Sequence, residues 1–577
     1  MTGYHRLPPS ILDSLCGGGD QAERELLRSA HVSKRIVQLA AIRAAADDRD
    51  VGVRQSFQAL ADMQRRSRGT VAQLLSSPQV GAWAAHCLRS LTSGGEDPLW
   101  VHLAQLGAVA ASAAIRTGSG VRVLVPVRSS AVHFPTVGRA FVATAATQSI
   151  VECAVAGPEI LIDGAPPAAW ERVRDLRTSA GGVELSVQLD DVDPYWSSFG
   201  MPIAERLTDD ELATWQRRLD GAWQVLADRH SHRLGTMAAA IRCLVPVAQA
   251  GQVGGVSASS ADAPGAIALT EPVTPVRLAA TLIHESQHCR LATLHDLQRL
   301  YTSPARHLHY SPWRNDPRPA SGVAHAIMAF IGVADFWLRE RTGDPAIELE
   351  YARHVRQLRV ARDEGAEAPD LTTLGKVLVN RLSQAIDALP LDVGSEKVRR
   401  VADDLVTEHE ATWRLRNIVP RDDALHAFHQ AWRDGAPLPV ERSGQPGPRV
   451  SSGDNPLTRV AMAWLENEPE LRMLAADDEL FAKRFPGADP NDIRLVAGDY
   501  GAARDHALSR IADGTADDHT WATLVVTHGR ACPAPARSPL VRVPELVRAV
   551  FGRDLESLRE LMSRYEAGTS TSDSMRR

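Results

Sequence analysis

TPVRLAATLIHESQHCRLA, residues 274–292, carries the marks of a helix at its start and along one face. Thr274 suits an N-cap, and Pro275 suits the first helical position, where its missing N–H costs nothing. Leu278, Leu282 and Cys289 recur at helical spacing and predict one apolar, buried face. His284 and His288 are four residues apart and stand one turn above each other, so both imidazoles can reach one cation. Glu285 is rotated by about 100° from His284, which sets its carboxylate beside the metal. The pattern is HExxH, a two-histidine metal clip with an adjacent carboxylate. Chance alone yields about 0.08 occurrences of H-[D/E]-x-x-H at this composition. The bland alternative is a core helix whose histidines only satisfy hydrogen bonds. The motif's place inside a helix, just after the apolar segment Ala266 to Leu269, favours the metal site.

Upstream, Gln21 to Asp47 reads as a charged amphipathic helix, with more helix from Val51 to about Ile115. At Gly120 the period changes to two: Val121, Val123, Val125 and Val127 alternate, as do Val183, Leu185, Val187 and Leu189. A small β-rich layer is expected between Gly120 and Asp190. Asp190, Asp191 and Asp193 end it, and a solvated strand-to-helix turn is expected there rather than a cation site. Thr208 with Glu211 forms a capping box for a helix buried through Leu212, Trp215, Leu219, Trp223 and Leu226, and a second helix is expected to about Val247. Gln249 to Pro264, rich in Gly, Ser and Ala, reads as a mobile loop, either able to close over a site or an ordinary surface loop.

Downstream, Tyr301 to Ser321 holds His307, His309, Tyr310 and the segment WRNDPRP. Helices are expected from about Gly322 to Arg341 and onward to about Trp432. Gly435 to Asn455 is the clearest linker. Leu495 to Val526 resembles one tetratricopeptide-like helical hairpin, and the tail from Gly568 is expected to be disordered. The expectation is therefore mainly α with a small β-rich layer (α+β), the HExxH helix packed against a second metal-bearing helix, and C-terminal helical hairpins. The regions are 1–119 helical, 120–270 mixed β/α, 271–434 the metal-site helices, 435–455 linker and 456–577 helical.

Composition bounds the function. With 577 residues and a net charge of −6, nothing points to a nucleic-acid or membrane surface. The N-terminus has no basic stretch followed by an apolar one and no long apolar span is evident, so a cytoplasmic protein is expected. The six cysteines (Cys16, Cys87, Cys153, Cys243, Cys289, Cys532) form no CxxC pair, which argues against disulfides, zinc ribbons and iron–sulfur sites.

Two histidines need a third ligand beside an open position. The metzincin extension fails, since 291 and 294 are both Leu. His295 lies about 10.5 Å along the helix from His288, too far to share an ion. A glutamate from the next helix is missing, because no Glu occurs between Glu285 and Glu340. That helix offers His325, within SGVAHAIMAF, as ligand or as a core histidine, with Asp316 as the carboxylate alternative. Arg314 and Arg318 bring two guanidiniums suited to bidentate capture of a carboxylate, or to structural pairing with Asp.

HESQHCRLATLHDL, HYSPWRNDPRP and GVAHAIMAFIGVADFW together resemble the HExxH-domain family of peptide-modifying enzymes, most specifically over Ala279 to Trp337. Ala follows His325 where the family pattern has Gly. The resemblance implies an iron(II)- and 2-oxoglutarate-dependent peptide β-hydroxylase acting on a ribosomally made precursor peptide, with a radical-SAM enzyme as a pathway partner. It implies that His284, His288 and His325 hold iron with positions open for 2-oxoglutarate and O2, and that Glu285 orients a ligand or a water. Arg314 or Arg318, with Tyr310 nearby, would bind the co-substrate. The rivals are a zinc metallopeptidase, in which Glu285 deprotonates a metal-bound water, and a non-catalytic peptide-binding helical protein.

Overall fold

The computed structural model describes residues 7, 10–46, 51–94, 97–143, 148–248, 255–302, 307–366, 368–441, 445–446 and 456–567. The chain is mainly α with a small β layer, as expected. It divides into two compact units, 1–299 and 300–577. The boundary falls just past the HExxH helix, so the metal-site region expected over 271–434 is divided, and His288 and His325 belong to different units.

In the first unit, the helix Leu99–Thr117 lies against the strand Val121–Arg128. Its small residues have a cause at Gly107, where an added Cβ would stand 1.8 Å from the Leu124 carbonyl oxygen. Val123, Val125 and Val127 point inward, as the alternation predicts. The strand belongs to a six-stranded antiparallel sheet, in spatial order Glu159–Ile162, Gln148–Ala156, Val121–Arg128, Ala131–Phe134, Gly138–Phe141, Ala169–Arg172.

A second, five-stranded sheet runs Ser257–Ser259, Ala266–Leu269, Cys243–Pro246, Val183–Leu189, Arg174–Ala180. This corrects two expectations. The helix expected to reach Val247 stops at Ala240, and Cys243–Pro246 is a buried central strand, parallel to both neighbours. A continuous apolar run suits a strand covered on both faces better than a helix. In the expected mobile loop, Gln249–Gly254 lie outside the described residues, while Ser257–Ser259 pairs antiparallel with Ala266–Leu269.

The three aspartates after Leu189 are buried rather than solvated. The Asp190 carboxylate accepts from the Val192 and Asp193 amides, Asp191 pairs with Arg206, and Asp193 caps the 3-10 helix Pro194–Phe199. Burial pushes the Asp190 carboxyl up, and burial plus the neighbouring Asp190 pushes Asp193 up further.

The second unit is helical: Ala320–Glu340, Pro345–Ala366, Thr373–Asp387, Glu396–Asn417 and Asp422–Arg433, then Pro456–Leu474 and the helices beyond it. The expected C-terminal hairpin is present as Tyr500–Ala512 and Asp518–Ala531. The second of these packs on Glu396–Asn417. At that contact His519 bridges two carboxylates, its Nδ1 2.8 Å from Glu408 Oε1 and its Nε2 2.7 Å from Asp492 Oδ1. Most of the linker expected over 435–455 and the tail from Gly568 lie outside the described residues.

Burial alone would lower the His519 pKa, but Asp492 and Glu408 outweigh it and hold the imidazolium well above the ordinary 6.5. A raised folded-state pKa gives stability that is complete below the unfolded value of about 6.5 and is lost as pH rises through the folded value. The urea midpoint for the full chain is therefore expected to fall as pH rises above about 6.5 through this group. His519→Asn should lower the midpoint at pH 6 and flatten that slope; an unchanged slope would refute the bridge.

Two helices are long and apolar enough to cross a membrane by length and composition, Leu99–Thr117 and Ala320–Glu340. This corrects the expectation that the chain has no long apolar span. Most of each is buried, 78% and 61% of its apolar window, which is how a core helix passes the same test.

Candidate metal centre

The HExxH helix spans Pro275–Leu297, with the Thr274 side chain accepting from the Arg277 amide and Pro275 in the first turn, as expected. Leu278, Leu282 and Cys289 are buried. The helix Asp209–Arg229 packs against it, and Gly221 makes this close, since an added Cβ there would meet Pro275 Cγ at 2.8 Å. The helix Gln21–Ala45 clamps its other end. Arg290 Nε donates to Glu23 Oε1 at 2.5 Å and Nη2 to Glu23 Oε2 at 2.8 Å, a bidentate pair with both partners buried. His31 Nε2 is bonded to Thr293 Oγ1 at 2.8 Å, and Lys34 Nζ reaches Asp296 at 2.6 Å.

On this clamped helix the Nε2 atoms of His284 and His288 stand 3.0 Å apart, with ring centroids 4.7 Å apart. Two nitrogens about 2.0–2.1 Å from one ion are about 2.9 Å apart at a right angle and about 3.3 Å apart at a tetrahedral angle. The observed spacing fits either. Burial lowers both imidazoles to about 4, with His284 adding to the effect on His288 while Glu285 opposes it. Both are therefore neutral at pH 7, the form that offers a lone pair to a metal. Paired imidazoles suit iron and zinc alike.

Glu285 is buried beside them. Ser257 Oγ, from the short strand Ser257–Ser259, donates to Glu285 Oε1 at 2.7 Å. Glu285 Oε2 is buried with no hydrogen-bond partner among the described residues, a position from which it can accept from a water. Among the described residues no group of three or more His, Cys, Asp or Glu side chains is gathered to hold a metal ion. The geometry in place is the two-histidine clip.

The remaining candidates lie in the second unit. His325, half-buried, is in the second turn of Ala320–Glu340, one turn later than expected because the helix begins at Ala320. The segment before it is rigidly held. Trp313 stacks on Phe330 with centroids 4.4 Å apart, Gln357 donates to the Pro312 carbonyl, and Asn417 donates to the Asn315 carbonyl. Arg314 Nε and Arg318 Nη1 each donate to Asp316, both at 3.1 Å. Burial would raise the Asp316 carboxyl, but the bonds from Arg318 and then Arg314 leave it below the ordinary carboxylate value. Both arginines retain further N–H donors beyond this pairing. The Tyr310 hydroxyl is 2.7 Å from Nδ1 of His409, which burial lowers to about 4.

Sequence reasoning missed Ser257, Glu23, His31 and His409. Ser257 sat in a stretch read as a lid, and the other partners are far apart in the chain. The chain matches no protein-family model, and no curated protein matches it.

Proposed function

We propose that the chain is a cytoplasmic iron(II)- and 2-oxoglutarate-dependent oxygenase that hydroxylates the β-carbon of a residue in a ribosomally made peptide. The observation that supports it most is the pair of neutral imidazoles on one clamped helix, with nitrogens spaced for one ion. The missing downstream glutamate weighs against a gluzincin, and the resemblance over Ala279 to Trp337 supplies the reaction class. Bound iron would let 2-oxoglutarate reduce O2, so that one oxygen enters a C–H bond while the co-substrate is oxidised and loses carbon dioxide.

The chain's own contributions follow from its residues. His284 and His288 hold the ion, with His325 proposed as the third donor. Glu285, fixed by Ser257, orients a ligand or a water through its bare Oε2. Arg314 or Arg318 holds the distal carboxylate of 2-oxoglutarate, with Tyr310 nearby. A radical-SAM enzyme acting on the same peptide is the proposed partner. The bare Glu285 Oε2 equally favours a second reading, a zinc peptidase in which it accepts a proton from water. The test is metal content after anaerobic purification, with 2-oxoglutarate turnover measured alongside. Iron with turnover is expected, and zinc with no turnover would count against the oxygenase.

A further inference from the structure

Within the first unit lies an open cleft of about 1780 Å3, well above the roughly 300–1,000 Å3 that small ligands occupy. Among the described residues, seven cationic side chains line it against three carboxylates. Two of the cations are neutralised, Lys34 by Asp296 and Arg290 by Glu23. The other five, Arg28, Arg68, Arg116, Arg177 and Arg242, make no ion pair among the described residues. Arg242 donates to Ser76 Oγ at 2.8 Å and to the Gln73 carbonyl, both uncharged acceptors. Burial lowers its pKa, and the like charges of Arg28 and Arg116 lower it further. Such a cluster is stabilised by an anion.

The walls carry apolar surface as well. Ile36 and Val37 on the helix Gln21–Ala45 are 44% and 69% exposed, and both line the cleft. Among the described residues none that lines it is Phe, Tyr or Trp, the side chains that serve as stacking platforms for single-stranded nucleic acids. Glu25 and Asp175 would also repel a continuous phosphate backbone. Carboxylates spaced by aliphatic side chains suit this mixture better.

We propose that the cleft docks an acidic peptide segment of a second molecule, its carboxylates meeting these five arginines and its aliphatic side chains meeting Ile36 and Val37. Cys289, Arg290, Thr293 and Asp296 of the HExxH helix also line the cleft. At 100° per residue they centre roughly 130° around the helix axis from His288. The peptide therefore binds on a different face from the imidazole pair and is held, not transformed, there. The docking site does not rest on the oxygenase reading, and either can fail without the other.

The test is fluorescence anisotropy on the full chain with a fluorescein-labelled peptide of alternating Glu and Val, about twelve residues long. Binding is expected to weaken about ten-fold or more in Arg68→Glu/Arg177→Glu, since each lost charged contact is worth about a factor of ten. It should also weaken as salt rises and be unchanged in Arg217→Glu, on the exposed face of Asp209–Arg229. Both cleft arginines are exposed, so the double variant keeps its fold. A Glu-Ser peptide should bind several-fold more weakly, and equal binding would remove the aliphatic contact from the proposal. No binding by the parent chain, or equal binding by the double variant, would overturn the docking site. Tighter binding of a deoxythymidine oligonucleotide of the same length would overturn it in favour of nucleic acid.

Discussion

Exchanging His284 or His288 for Ala is expected to strip most of the iron from the anaerobically purified protein. The two Nε2 atoms are 3.0 Å apart on one helix, and removing either leaves a single imidazole in place of a clip. The loss should exceed the ten- to hundred-fold in affinity that removal of a supporting outer group costs. His295→Ala, on the last turn of the same helix, should leave iron unchanged. His325→Ala tests the third donor. Asp316 is the alternative, but its carboxylate is already engaged by Arg314 and Arg318. Full iron content in both the His284 and His288 variants would mean that the pair is only a hydrogen-bonded couple in a helix.

Glu285→Gln should separate the two chemistries. The side chain is fixed at Oε1 by Ser257 and bare at Oε2, so Gln fills the same space without the negative charge. As the general base of a peptidase the carboxylate is indispensable, and its loss costs about 10²–10⁴ in rate with metal retained. As an outer group in an oxygenase it mainly supports the metal, and its loss costs about 10–100-fold in affinity. Activity restored by excess iron is expected. A rate that stays low with iron saturating would favour the peptidase.

Local signals were the legible ones. Thr274 with Pro275, the capping box at Thr208, and the valine alternations from Val121 and at Val183 each depend on residues a few positions apart, and each is found where expected. What escaped were pairings set by the tertiary fold. Glu23 and Arg290 are 267 positions apart, and nothing local marks either as a buried ion pair. Cys243–Pro246 escaped because a short apolar run has no period to distinguish a buried strand from a helix end. The buried aspartates escaped because their acceptors are filled by amides of their own turn and by Arg206. The arginines of the cleft are scattered from Arg28 to Arg242 in a chain of net charge −6, so composition conceals them. Of the candidate site, the stacking of His284 over His288 was legible from their spacing, while the supports of Glu285 and Tyr310, Ser257 and His409, were not.

The most direct measurement is mass spectrometry of a cognate precursor peptide incubated with the iron-loaded protein, 2-oxoglutarate and O2. The oxygenase reading expects an intact backbone carrying a gain of about 16 Da, dependent on 2-oxoglutarate. Two fragments whose masses sum to peptide plus water, formed without 2-oxoglutarate, would contradict it and identify the HExxH helix as that of a peptidase.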